Sequence, residues 1–180
     1  MQTNLIIHPT DFSTCSVAAL EYATNLAKCF DSKLLIVHSV DTSEYAGHDQ
    51  SGQMLMDKSK EIEDQVANKL KALGAEVVKE GVQCGAQIYN GTLNSWLPDM
   101  IKREKPLFVV MGTTGAGSVA NRVFGSNTFA ILQASTCPVL AIPNGTDKGT
   151  PQEIAFAADL NTTKATTCLL YTSDAADEGH

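Results

Sequence analysis

Gly112, Gly115 and the pair Gly125-Ser126 follow directly on the apolar run Leu107-Phe108-Val109-Val110-Met111, at a spacing that lets a main chain hold phosphate groups. Glycine has no Cβ, so it reaches left-handed angles and allows a ligand to come close to the backbone. Amides exposed in this way point inward as an anion-binding nest. After Ser126, Asn127 and Thr128 the apolar residues Phe129, Ala130, Ile131 and Leu132 predict a helix. Its first amides lack internal partners and carry a positive partial charge. The loop thus offers a phosphate-friendly element at each end. The same glycines would also serve a tight strand-to-helix connection that binds nothing.

Nothing in the sequence builds a catalytic apparatus. His8 and His38 lie at or near the ends of predicted strands without a nucleophile in a recognised motif beside them, and both read as satisfied strand-end histidines. Cys15, Cys29, Cys84, Cys137 and Cys168 are scattered, with no C-x-x-C pair and no histidine at metal-ligand spacing, which predicts reduced thiols. Cys15 and Cys137 read as small apolar fillers. ATP hydrolysis needs a positioned water and charge stabilisation of the leaving phosphate. Neither is evident, so very slow turnover at most is expected.

The formal net charge of -7 opposes a nucleic-acid surface, which needs clustered Lys and Arg. Hydrophobic residues make up 43% of 180, enough for one globular domain and a remainder. Leu5-Ile6-Ile7 is too brief for a signal sequence or membrane span. The expected setting is the cytoplasm, with no membrane partner.

Apolar runs alternate with helix-length segments, the pattern of a parallel sheet with crossover helices. The first strand is Leu5-Ile6-Ile7, followed by a helix capped by Ser13 with Val17, Leu20, Ala23, Leu26 and Phe30 at helical spacing. Residues 34–40 form the second strand, and a polar stretch from Asp41 to Gly52 reads as a loop. Ile62, Val66, Leu70 and Leu73 mark a second helix ending at Gly74, and Val77 and Val78 fall in a third strand. Residues 88–105 hold a further helix with Trp96, Met100 and Ile101 inward. Residues 107–111 make the fourth strand and 138–143 the fifth, where flanking prolines favour an edge.

Beyond a domain at residues 1–145 and a linker at 146–152, Ile154-Ala155-Phe156-Ala157-Ala158-Asp159-Leu160 repeats the shape of Ile6 to Phe12. Residues 153–167 therefore read as the start of a second, truncated copy, with an ordinary C-terminal strand or tail as the alternative. Residues 168–180 back-translate to a string resembling a sequencing adapter and read as a non-native tail.

With His8-Pro9-Thr10-Asp11-Phe12-Ser13, Val37-His38-Ser39-Val40-Asp41 and the glycine loop in this order, the chain resembles the universal stress protein family from about Asn4 to Pro143. The resemblance implies an α/β three-layer sandwich with a five-stranded parallel sheet, doubly wound and adenine nucleotide alpha hydrolase-like. It points to the ATP-binding branch and to the first domain of a tandem member. By the same resemblance Asp11 would face the ribose and base, with Pro9 and Thr10 shaping the turn, at the carboxyl ends of the strands. A cap for the following helix is the alternative role of Asp11. Ser39 stands where the family often places Val against adenine. Gly112 and Gly115 would admit the phosphates, met by Gly125, Ser126 and Asn127 at the helix start. Thr114 and Ala116 stand where many relatives carry His and a Lys or Arg, which leaves Arg122 or Mg²⁺ to supply positive charge.

The expected function is a nucleotide-sensing stress-response module that binds ATP, or AMP or ADP, and dimerises through its last strand, as a homodimer or an intramolecular tandem pair. A scaffold of the same fold that binds no nucleotide is the alternative. A dinucleotide-binding enzyme fits less well, because the first strand ends in Pro-Thr-Asp rather than a glycine-rich turn.

Overall fold

The computed structural model describes residues 3–41, 52–114 and 125–146. The expected second copy and tail lie outside the described residues, as does nearly all of the linker.

Five parallel strands form one sheet: β1 (Leu5–Pro9), β2 (Lys33–Val40), β3 (Cys84–Asn90), β4 (Phe108–Gly112) and β5 (Val139–Ile142), in spatial order β3-β2-β1-β4-β5. The order runs outward from β1 to β3, then restarts on the other side of β1 with β4, the switch that defines a doubly wound sheet. β1 is central, with Ile6, Ile7 and His8 fully buried. Apolar residues on both faces of such a strand follow from helices covering both sides.

Helices α1 (Thr14–Cys29) and α2 (Gly52–Lys79) cover one face. There Ala19, Leu20, Ala23 and Leu26 of α1 and Val66, Leu70 and Val77 of α2 pack on Ile6, Leu34, Ile36 and Val110. Helices α3 (Leu93–Glu104) and α4 (Ser126–Ala134) cover the other, where Leu97, Met100, Ile101 and Ile131 meet Ile7, Val37, Val109 and Val139. The expected three-layer α/β sandwich is the observed fold, and among the described residues β5 pairs with β4 alone, an edge strand as its prolines predict.

Four local expectations are corrected. Val77 and Val78 lie in the last two turns of α2 rather than in a strand: Val77 is buried against the sheet and Val78 is exposed. Gly74 does not end α2. The helix stops at Lys79 and the chain reverses at Gly81, whose φ of +87° a side chain would strain. The true third strand, with Ile88 inside it rather than opening a helix, is an edge strand of mixed exposure, so its residues lack the apolar run that marks β1 or β4. On α1, Val17 and Phe30 share the helical spacing of the core residues, yet both are exposed.

Candidate functional site

The carboxyl ends of β2, β1 and β4 lie side by side, which brings Ser39, the Pro9-Thr10-Asp11 turn and Gly112-Thr113-Thr114 to one rim of the sheet. The turn after β1 is held by its own side chains. Thr10 Oγ1 accepts from the Phe12 amide at 3.1 Å and is 3.0 Å from Ser16 Oγ, while the Thr10 amide donates to Val37 O. Asp11 Oδ1 accepts from the Ser13 amide at 3.0 Å and the Ser13 hydroxyl at 2.6 Å. Ser13 in turn caps α1 by accepting from the Ser16 amide. Asp11 is therefore not itself the cap: it steadies the residue that is, and remains exposed at the rim.

Phe12 completes this turn at φ +60°, a left-handed conformation that costs a bulky residue energy. Its ring lies 4.6 Å from the His38 ring and 5.3 Å below Lys69 Nζ, a cation–π contact. The His38 Nδ1–H donates to Thr10 O at 2.7 Å. Phe12 belongs to the motif after the first strand, but its contacts with His38 and Lys69 have no signal in the sequence. A large apolar residue in a left-handed turn leaves no mark on hydrophobic periodicity.

On β4, Gly112 has a reason to be glycine that involves no ligand. A Cβ there would sit 2.9 Å from Cys15 Sγ and 3.0 and 3.1 Å from the Cys15 main chain, so the first turn of α1 uses the space. Thr113 donates its amide to Ile142 O and accepts from the Gly125 amide, and Thr128 Oγ1 donates to Gly112 O at 2.9 Å. These last two bonds pin the start of α4 to the exit of β4. The Gly125 amide is spent in the process. Among the described residues nothing pairs with the amides of Ser126, Asn127 and Thr128, the donors a helix start leaves over. Ser126 and Asn127 are exposed, and Asn127 Oδ1 accepts from Asn94 Nδ2 at 3.1 Å, which ties the start of α4 to that of α3. Thr114 is half-buried beside them. Gly115 and Arg122 lie outside the described residues.

The side chain of Ser39 points to the α3 face, where its hydroxyl accepts from Trp96 Nε1 at 2.8 Å. The indole stacks on Tyr89 with ring centres 4.1 Å apart and planes 14° from parallel. Trp96 packs against the core of this face, in keeping with its predicted inward direction, and is half-buried with its indole N–H engaged at the rim.

His8 lies beneath the rim, fully buried, with its Nδ1–H donating to Val110 O at 2.8 Å and Nε2 without a partner among the described residues. Burial lowers its pKa to about 4, against smaller opposing pulls from the Val110 carbonyl and Asp11, so the ring is neutral near pH 7. Burial also raises the Cys84 thiol to about 11 and that of Cys137 above its ordinary value, which keeps both in the poorly nucleophilic protonated form. Among the described residues no cluster of His, Cys, Asp or Glu is placed to hold a metal ion, and no helix is long and apolar enough to cross a membrane.

The sequence matches the Universal stress protein family over residues 4–143. A universal stress protein of Methanocaldococcus jannaschii is 28% identical over 139 residues, which cover 76% of this chain and 80% of that relative. Among solved structures, a universal stress protein in complex with cAMP aligns with a TM-score of 0.59 at 17% identity, over 81% of this chain and all of its own. The universal stress protein from Archaeoglobus fulgidus in complex with dAMP aligns at 0.54 and 16%, over 79% of this chain and 98% of its own. The sheet order carries the same adenine nucleotide alpha hydrolase-like fold. On the family match, which spans every strand of the sheet and the rim built on it, the chain belongs to the universal stress protein family.

Proposed function

We propose that this domain binds an adenine nucleotide along the carboxyl rim of its sheet and acts as a sensing module rather than an enzyme. The observation that carries the reading is the start of α4: three amides with no partner among the described residues, on a helix clamped to β4 by Gly125 and Thr128. Such an end suits a phosphate without any cationic side chain. The cAMP and dAMP complexes of fold neighbours support an adenine nucleotide as the occupant. In this reading Pro9, Thr10 and Asp11 line the ribose side, Ser39 the base side, and Gly112, Thr114, Gly115, Gly125, Ser126 and Asn127 the phosphate side. A triphosphate would need Mg²⁺ or Arg122 to offset its charge. Nucleotide binding would bias a dimer formed through β5, in the cytoplasm.

Titration calorimetry of the purified protein with AMP, dAMP and ATP tests this. Saturable binding that weakens about tenfold or more in a folded Ser126→Pro variant, which removes one of the three donors, is the expected result. No heat with any of the three nucleotides would refute it.

Two findings favour the second reading, a scaffold that binds no nucleotide. The space at Gly112 is used by Cys15, so packing alone accounts for that glycine, and the Gly125 amide is already bonded to Thr113 O and is not left for a phosphate. Native mass measurement separates the readings: the scaffold gives a dimer without retained nucleotide.

A further inference from the structure

We infer that Trp96 forms the wall against which the base stacks, so that an aromatic platform at the end of β2 selects the ligand's base. This rests on the nucleotide reading above and gives its base end a residue. If phosphate sits at the start of α4, the rest of a nucleotide must run along the rim from β4 across β1 to β2. Those two strands flank β1, and their ends are about 10 Å apart, two strand spacings. That separation is comparable to the span of a nucleoside monophosphate. The ligand must also stay on the face where α4 begins, which is the face of α3.

At that place the structure holds Ser39 and Trp96. Ser39 lies two residues beyond the Pro9↔Val37 pair, level with the end of the β1 turn, and its hydroxyl faces α3. Trp96 stands in the first turn of α3, whose start is joined to that of α4 by Asn94 and Asn127. Three features make it a platform rather than a loose side chain. Its indole N–H is held by Ser39. One ring face is backed by Tyr89 in a near-parallel stack. It also packs against the core of this face and is only half-buried, so the ring is anchored without being fully enclosed. A ring anchored in this way suits stacking with a planar base, because little conformational freedom is lost on contact. The Trp96–Ser39 bond also takes one acceptor position of the serine and leaves its O–H free to donate. A base nitrogen with a lone pair meets a matching donor there.

Trp96 is the sole tryptophan of the chain, so its emission reports this position alone. Calorimetry and fluorescence are run on the same titrations with AMP and with ribose 5-phosphate. The expected outcome is a saturable change in Trp96 emission with AMP, at the dissociation constant found by calorimetry. Trp96→Leu should weaken AMP by about tenfold, the loss of one stacked base, and leave ribose 5-phosphate unchanged. Trp96→Phe keeps a ring at the position and should lose less than Trp96→Leu, which guards against a folding artefact. AMP binding by calorimetry without a change in emission, or with equal affinity in Trp96→Leu, overturns the Trp96 assignment and leaves the nucleotide reading standing. Absence of AMP binding by calorimetry overturns both.

Discussion

A histidine sealed from water resists protonation in the folded state but not in the unfolded one, and His8 on β1 is such a group. Its folded pKa of about 4 lies below the ordinary value of 6.5, so the unfolded chain binds the proton first as pH falls. The sign follows directly. Stability from this residue is complete above pH 6.5 and is lost progressively between pH 6.5 and 4, by about 3 kcal/mol in all. Urea unfolding at pH 7 and pH 4.5 should show wild type losing stability over this interval, beyond the loss in His8→Gln. The same slope in both proteins would remove His8 as the cause. The sequence reading of a satisfied histidine holds for Nδ1 and fails for Nε2, because only the packing around the ring decides whether a second partner reaches it.

The start of α1 and the end of β4 meet at contact distance, and the site depends on that meeting. Gly112 lies where the first turn of α1 presses on the strand, so a methyl group at this position forces the helix or strand aside. Gly112→Ala should destabilise the domain by about 1–3 kcal/mol, as overpacking does, measured by thermal or denaturant unfolding. Adding Cys15→Ala should recover part of the loss, since one of the three close contacts is to the sulfur and two are to backbone. Full recovery, or no loss at all, would contradict the tight approach. The neighbouring element gives the contrary lesson. α2 continues past Gly74 because Val77 still turns to the core, and tertiary burial outweighs a cost of about 1 kcal/mol for glycine in a helix.

For the molecule as a whole, the proposed dimer rests on the β5 edge of the sheet. Along β5 and the residue before it, the carbonyls of Pro138 and Ile142 accept from the amides of Val109 in β4 and Thr113 just beyond it. Alternate residues of a strand direct their backbone groups to opposite sides, so Val139 and Ala141 turn theirs away from the sheet. An edge with outward donors and acceptors, bounded by Pro138 and Pro143, is a short template for a second copy. If the dimer forms there, Ala141→Pro removes an outward donor without touching the ladder to β4. Sedimentation equilibrium should then show dimerisation weakened by about tenfold or more, with circular dichroism unchanged. A dimer of undiminished affinity would direct the search to another surface.

Of this protein's fold, the sequence alone determined the elements whose burial is uniform. β1, β2, β4 and β5 are apolar runs because helices cover both faces, and Ser13 announced the start of α1 because an unpaired helix end needs an oxygen acceptor. The glycine spacing and the turn after β1 likewise named most of one rim in advance. What the chain could not declare in one dimension was which neighbour each residue would meet. β3 was hidden because an edge strand has no continuous apolar signature. Gly112 proved to make room for Cys15, 97 positions earlier in the chain. Ser39 found Trp96, which packs on the core as its spacing predicts and also bonds a residue 57 positions earlier in the chain. Local propensity and pattern are carried by adjacent residues, whereas contacts across the rim are fixed only when the strand order brings distant segments together.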